Sequence, residues 1–300
     1  MDATSFAASF KSRVTDVFND AAPRYDRGVE FFTPMGARLV ELVAPRAGGR
    51  VLDIGCGRGA CLVPAATAVG AAGRVVGIDI APAMIDEARR ETERLGLGNV
   101  ELMVMDAEDD PLFAPGSFDY VIGSYSIIFL PDSFAALTRF GKLLASGGKL
   151  AFTSPVFSYD TFPFLPEPFG QIITDEFLQH IEEEWQPHRI VERYYSWLVD
   201  REMLSATLGA AGFDNVVILD EPVQMVSGSG HDWVAWSRTQ GMRLLWNNLP
   251  EQPRRELEKS IITELDSRRT ADGLITVETP VRYVLADVAS HRRTGTGKTR

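Results

Sequence analysis

Three acids and three glycines in the first third of the chain have the types and spacing to do chemistry. Asp53 sits in the apolar run Val51-Leu52-Asp53-Ile54, and Gly55, Gly57 and Gly59 follow it at every second position. Glycines there let a ligand approach the backbone without meeting a Cβ. A helix opening at Ala60 would turn its free N–H groups toward the same place. Asp79 ends a second apolar run 20 residues after Gly59. An acid at that spacing accepts hydrogen bonds from vicinal ribose hydroxyls. Together these residues read as a cradle for an adenosine-bearing cofactor.

Gly55-x-Gly57-x-x-Ala60 satisfies the looser form of the dinucleotide fingerprint. At this point both a nicotinamide cofactor and S-adenosylmethionine fit. Three further residues weigh between them. The Asp53 carboxylate, inside the same turn, disfavours a pyrophosphate and favours a ligand carrying an ammonium and a sulfonium; its plainer reading is a carboxylate that satisfies loop N–H groups. Asp106-Ala107-Glu108 ends a third run, where an acid beside a small residue suits the exocyclic amine and ring edge of adenine; alone it would be a turn former. Met84, five residues past Asp79, reads either as ordinary core or as a contact on an adenine face.

The elements that must hold these residues alternate. Strands are expected at 51–54, 74–79, 100–106, 118–124 and 149–154, with helices after Ala60, from Pro82 and over 134–144, a pattern of parallel sheet with helices on both faces. A sixth strand is expected at 215–219 and a seventh, with β-branched enrichment, at 276–286. The predicted fold class is α/β, Rossmann-like, with seven strands, mostly parallel, and the last antiparallel. Helices at 4–21 and 35–43 precede it as a cover. The core is expected to comprise 1–154, 199–226 and 279–290, with 155–198 and 227–278 as two inserts forming a helical, substrate-binding lid. The basic, glycine-rich tail 291–300 reads as disordered; its Gly295-Thr296-Gly297-Lys298-Thr299 lacks the first glycine and the strand of a phosphate loop.

The net charge of −11 argues against a nucleic-acid partner. No apolar stretch is long enough for a membrane span, and the N-terminus carries no signal-peptide pattern. Cys56 and Cys61 are the only cysteines, too few for a disulfide framework or a zinc site. No metal is expected, and the chain reads as soluble and cytoplasmic.

On these motifs the chain resembles the class I S-adenosylmethionine-dependent methyltransferases, in the branch similar to the ubiquinone and menaquinone C-methyltransferases. The resemblance rests on 51–59, on Asp79-Ile80-Ala81-Pro82-Ala83-Met84-Ile85, on Asp106-Ala107-Glu108 and on Phe118–Ser124. It extends to the Gly147-Gly148 turn, to Leu204-x-x-x-Leu208-x-x-Ala211-Gly212-Phe213 and to Phe18–Asp26. It covers about 14–154 and 199–222, and neither insert. It implies S-adenosylmethionine as cofactor, with Tyr25, Asp53, Gly55, Cys56, Gly57, Gly59, Asp79, Ile80, Met84, Asp106, Ala107 and Ser124 around it. Tyr25 by itself would read as a packing side chain. Ile127–Asp132 stands where paired histidines are often found, so no role of theirs carries over, and Phe129 suggests an apolar wall.

The implied reaction is in-line methyl transfer, in which the protein positions the nucleophile and excludes water. A general base is needed only if the nucleophile arrives protonated. Of four histidines, His231, beside Asp232 and two tryptophans in the second insert, is the one candidate for a base or substrate contact. Both inserts are rich in aromatics, which suggests a roofed apolar pocket for a small molecule and a place in secondary-metabolite biosynthesis. Whether carbon, oxygen or nitrogen is methylated stays open. The alternatives are a cyclase or decarboxylase on the same cofactor-binding fold, and a nicotinamide-dependent oxidoreductase.

Overall fold

The computed structural model describes residues 3–109, 113–158, 169, 172–183, 186–240 and 242–289. The tail 291–300 and the insert aromatics Tyr159, Phe162, Phe164 and Trp185 lie outside them. One eight-stranded sheet organises the chain, in the order β1-β7-β8-β6-β5-β2-β3-β4. Its strands are β1 Val29–Glu30, β2 Arg50–Ile54, β3 Arg74–Asp79, β4 Val100–Val104, β5 Phe118–Ser124, β6 Leu144–Pro155, β7 Phe213–Ser227 and β8 Ile275–Val288.

Strands β4, β3, β2, β5 and β6 are parallel neighbours in that order. Chain order runs one way from β2 to β4 and the other way from β5 to β6, so the turns after β2 and β5 part at the carboxyl edge. That topological switch point is where open α/β sheets bind ligands. Strand β8 enters antiparallel between β6 and β7, as expected of the last strand. The eighth strand is β1, two residues that pair with Ser227 and Val226 at the sheet edge. Two residues carry no periodicity, so the sequence shows no sign of it.

Helices α1 Ala3–Ala21, α2 Phe32–Val43, α3 Leu62–Val69, α4 Pro82–Arg94 and α5 Ser133–Leu143 pack around the sheet, followed by α6 Arg201–Ala210. Their starts follow from local chemistry. Pro82 occupies a first-turn position of α4, where its missing N–H costs nothing. Asp132 caps α5 by accepting from the Ala135 N–H, and Asp200 caps α6 from Glu202 and Met203. The residues β2 and β3 bury, Val51, Leu52, Val75 and Val76, are fully enclosed, as a strand covered on both faces requires.

Both long segments outside this frame carry helix. The first has the turn Asp175–Leu178 and helical turns from Pro187 to Val199, with a widened π-type stretch at Val191–Tyr195. The second, between β7 and β8, holds α7 Gly230–Ser237, α8 Arg243–Asn248 and α9 Glu251–Ser267. Phe169 stacks on Trp233 at 4.1 Å between centroids, so the first segment packs on α7. Arg282 of β8, 4% exposed, fixes the other end: it forks onto Asp220 at 2.8 and 2.9 Å and donates to the Leu198 carbonyl.

Candidate active site

The turn after β2 is shaped by its glycines. Gly55 has φ +61°, and a Cβ on it would stand 2.5 Å from the Ser126 Cβ, so only glycine fits. Gly57, at φ +51°, has open space where a Cβ would be, the place for close approach of a ligand. Asp79 pins this turn. Its Oδ2 accepts from the Gly57 N–H and its Oδ1 from the Ala81 N–H, both at 2.9 Å. Burial pushes its carboxyl upward, and the two N–H groups pull it partly back.

Asp53, 1% exposed, serves two ends at once. It accepts from the Leu62 N–H at the start of α3, the plainer of its two readings. Its Oδ2 has no partner. A buried carboxylate oxygen without a donor is costly, and burial raises its pKa, with Asp79 adding to the rise. An ammonium group at the turn would relieve both. The chemistry of this donor set therefore fits S-adenosylmethionine and not a pyrophosphate.

A cavity of about 90 Å³ lies over the turn. Tyr25, Gly55, Gly57, Asp79, Ile80, Met84, Asp106, Ala107 and Ser124 line it, so nine of the twelve expected cofactor residues share one wall. Asp53, Cys56 and Gly59 lie behind it. The Cys56 N–H is spent on the Ile78 carbonyl, and its thiol packs by Gly77. Gly59 serves the turn, donating to the Cys56 carbonyl and accepting from Val63. Both cysteines are buried and free.

Sequence reasoning missed Lys11. This α1 side chain lines the same cavity and reaches Asp106 and Glu108, each at 2.7 Å. Asp106 also accepts from the Glu108 N–H. The donor facing its second oxygen is thus a lysine, at the position expected for an adenine amine. A lysine on an amphipathic helix gives no sequence signal for such a role.

A second cavity, about 490 Å³, adjoins the first. The two share Val14, Phe18, Tyr25, Tyr125 and Phe129. These rings interlock: Phe18 meets Phe129 edge-on at 5.3 Å and Tyr25 at 5.8 Å, while Tyr25 stacks on Phe32 at 4.8 Å. Phe129 is thus an apolar wall, as expected. Beyond this collar the walls are aromatic, including Phe31, Phe157 stacked on Tyr195, and Trp236. Thr239, Gln240, Arg243 and Asn247 bring polar groups from the second insert.

His231 does not reach either cavity. It is exposed at the start of α7, and its neighbour Asp232 is engaged with Ser229, the helix cap, at 2.7 Å. The expected base or substrate contact has no counterpart in the geometry, because the helix turns Trp233 and Trp236 inward instead. Among the described residues, no histidine lines the large cavity, and no group of acids, histidines or cysteines could hold a metal.

Comparison with known proteins matches this geometry. The family described as "Methyltransferase domain" matches residues 45–202. Aklanonic acid methyltransferase DauC of Streptomyces sp. (strain C5) is 56% identical over 69% of this chain and 94% of its own length. Nocamycin O-methyltransferase of Saccharothrix syringae is 35% identical over 89% of this chain and 96% of its own. Demethylmenaquinone methyltransferase of Staphylococcus saprophyticus is 28% identical over 69% and 91%. Among solved structures, Haemonchus contortus phosphoethanolamine N-methyltransferase 2 in complex with S-adenosyl-L-methionine superposes with TM-score 0.52 at 20% identity, over 86% of this chain and 53% of that one. It shares the fold. The chain belongs to the methyltransferase-domain family, as an S-adenosylmethionine-dependent methyltransferase.

Proposed function

We propose that this methyltransferase esterifies a small, flat, aromatic carboxylic acid, held in the large cavity, within natural-product biosynthesis. The observation that carries the reading is the shared wall: a 490 Å³ aromatic chamber opens onto the glycine turn through one collar of side chains. Cofactor-binding roles for Tyr25, Asp53, Gly55, Gly57, Asp79, Ile80, Met84, Asp106, Ala107 and Ser124 belong to this proposal, as does a lid made by the two inserts. S-adenosylmethionine supplies an activated methyl group; the residues of the chain position the acceptor and keep water out.

The choice of an acid follows from what the chamber lacks. Asp16 is the single carboxylate among its described lining residues, and no histidine joins it. Burial pushes the hydroxyls of Tyr25, Tyr125 and Tyr195 upward, so they keep their protons. Among the described residues the lining offers no histidine as general base, which favours an acceptor that arrives ionised, as a carboxylate does. Arg13 and Arg243 give the lining a cationic element that suits it. The names of two relatives, an aklanonic acid methyltransferase and an O-methyltransferase, agree with an acid as substrate and with oxygen as acceptor. The test is mass spectrometry of reactions with trideuteromethyl-labelled S-adenosylmethionine and aklanonic acid. One labelled methyl per product, with one S-adenosylhomocysteine released, supports the reading. Product formed without S-adenosylhomocysteine would instead place the chain among non-methylating enzymes of this fold.

A further inference from the structure

Tyr125 is anomalous in three ways. Its backbone has φ +51°, a left-handed conformation in a bulky residue, which is strained and persists only where the surroundings impose it. The surroundings do impose it. The Tyr125 N–H donates to Thr153 at both its carbonyl and its Oγ1, at 3.3 and 3.0 Å, and Thr153 Oγ1 also meets Ser124 Oγ at 3.0 Å. The ring is clamped edge-on by Phe31 at 5.8 Å and Phe32 at 6.1 Å.

Second, Tyr125 lies on the wall common to both cavities. That wall is Val14, Phe18, Tyr25, Tyr125 and Phe129, so its only polar side-chain atoms are two tyrosine hydroxyls. Third, no described residue hydrogen-bonds the Tyr125 hydroxyl. Burial pushes it upward, and Tyr283 beside it adds to the rise, so it remains a donor. A strained, clamped and unpartnered donor at the crossing between two chambers is a feature for binding something.

We propose that the Tyr125 hydroxyl, with Tyr25 on the same collar, is the donor that receives the acceptor's reacting carboxylate. The inference rests on the acceptor being an acid. A carboxylate entering the collar would hydrogen-bond Tyr125 through one oxygen and turn the other toward the cofactor chamber. That second oxygen gives an electron pair to the methyl carbon, the methyl–sulfur bond leaves its pair on sulfur, and no proton moves. Phe18 and Phe129 make the crossing apolar, which strengthens the hydrogen bond. Tyr125 therefore favours an acceptor that carries a second oxygen beside the reacting one, as a carboxylate does.

The test is Tyr125→Phe, which keeps the ring and its clamps. With aklanonic acid, kcat/KM should fall 10- to 100-fold while the KM for S-adenosylmethionine and the thermal midpoint stay within error. Calorimetry on protein saturated with S-adenosylhomocysteine provides a second arm, using anthracene-2-carboxylate and its methyl ester. Wild type should bind the carboxylate at least tenfold more tightly than Tyr125→Phe does, and the ester, a weaker acceptor, should lose less. Equal carboxylate binding by the two proteins, or none by wild type, overturns the inference. Failure of the acceptor reading shows separately, as absence of labelled methyl transfer to aklanonic acid alongside intact carboxylate binding.

Discussion

Asp79 holds the glycine turn and the start of α4 with its two oxygens, leaving further lone pairs directed at the small cavity. Asp79→Asn removes the charge and one of the two acceptors that pin the turn, so the affinity for S-adenosylhomocysteine should fall at least tenfold by calorimetry, about 1.4 kcal/mol. Unchanged affinity would remove Asp79 from the ribose site. Asp26 offers a different test. Burial raises its carboxyl to about 6, against Thr33, Arg58 and the Phe32 N–H, which lower it, and its Oδ1 is unpaired. The folded protein thus holds this proton more tightly than the unfolded chain does. The stability this contributes is complete below about pH 4 and is lost as pH rises through about 6. Relative to wild type, Asp26→Asn should gain on the order of 2 kcal/mol between pH 4 and pH 7 in urea unfolding. A constant difference across that range would contradict the assignment. Among single residues, the three acids and the glycines were legible as positions because each lies at or just past the end of a strand at a fixed spacing. Lys11 and Tyr125 were not, since a helix surface lysine and a strand-end tyrosine have no spacing that marks them.

At the scale of elements, α1 closes the small cavity. Lys11 holds it there through Asp106 and Glu108, and Asn19 adds a bond to the Ala83 N–H. The cavity beneath it is about 90 Å³, against the roughly 300 Å³ or more usual for ligand sites, so freeing α1 would widen the path for the cofactor. Lys11→Met should therefore speed S-adenosylhomocysteine association several-fold in stopped-flow mixing, and adding salt should reproduce part of the effect in wild type alone. Arg282 is the tie between β8 and the first insert. Arg282→Met leaves the Leu198 carbonyl without its donor, while Asp220 keeps Arg201 at 2.8 Å. That remaining partner limits the loss to about 2 kcal/mol, read as a lower denaturation midpoint. Helix α1 was expected at 4–21 from its apolar spacing and runs Ala3–Ala21; β7 was expected as five residues and runs fifteen. Its far half alternates around Pro222 and pairs with β8 beyond the parallel core, a tertiary ladder that local pattern does not announce.

For the molecule as a whole, the alternation from residue 50 to 154 indicated a mostly parallel sheet with helices on both faces, because parallel strands joined by helices leave few topologies. The inserts were harder. Their aromatic content indicated an apolar chamber, but which rings face it depends on packing between segments far apart in sequence, such as Phe157 on Tyr195. His231 shows the cost of reading composition alone: beside two tryptophans it looked like a site residue, yet the helix directs it outward. The central claim is that two distinct chambers meet at the collar of Val14, Phe18, Tyr25, Tyr125 and Phe129. Titrating anthracene-2-carboxylate into protein with and without saturating S-adenosylhomocysteine tests it most directly. Two chambers require a ternary complex, with carboxylate affinity equal or tighter when the cofactor product is bound; mutual exclusion of the two ligands would contradict it.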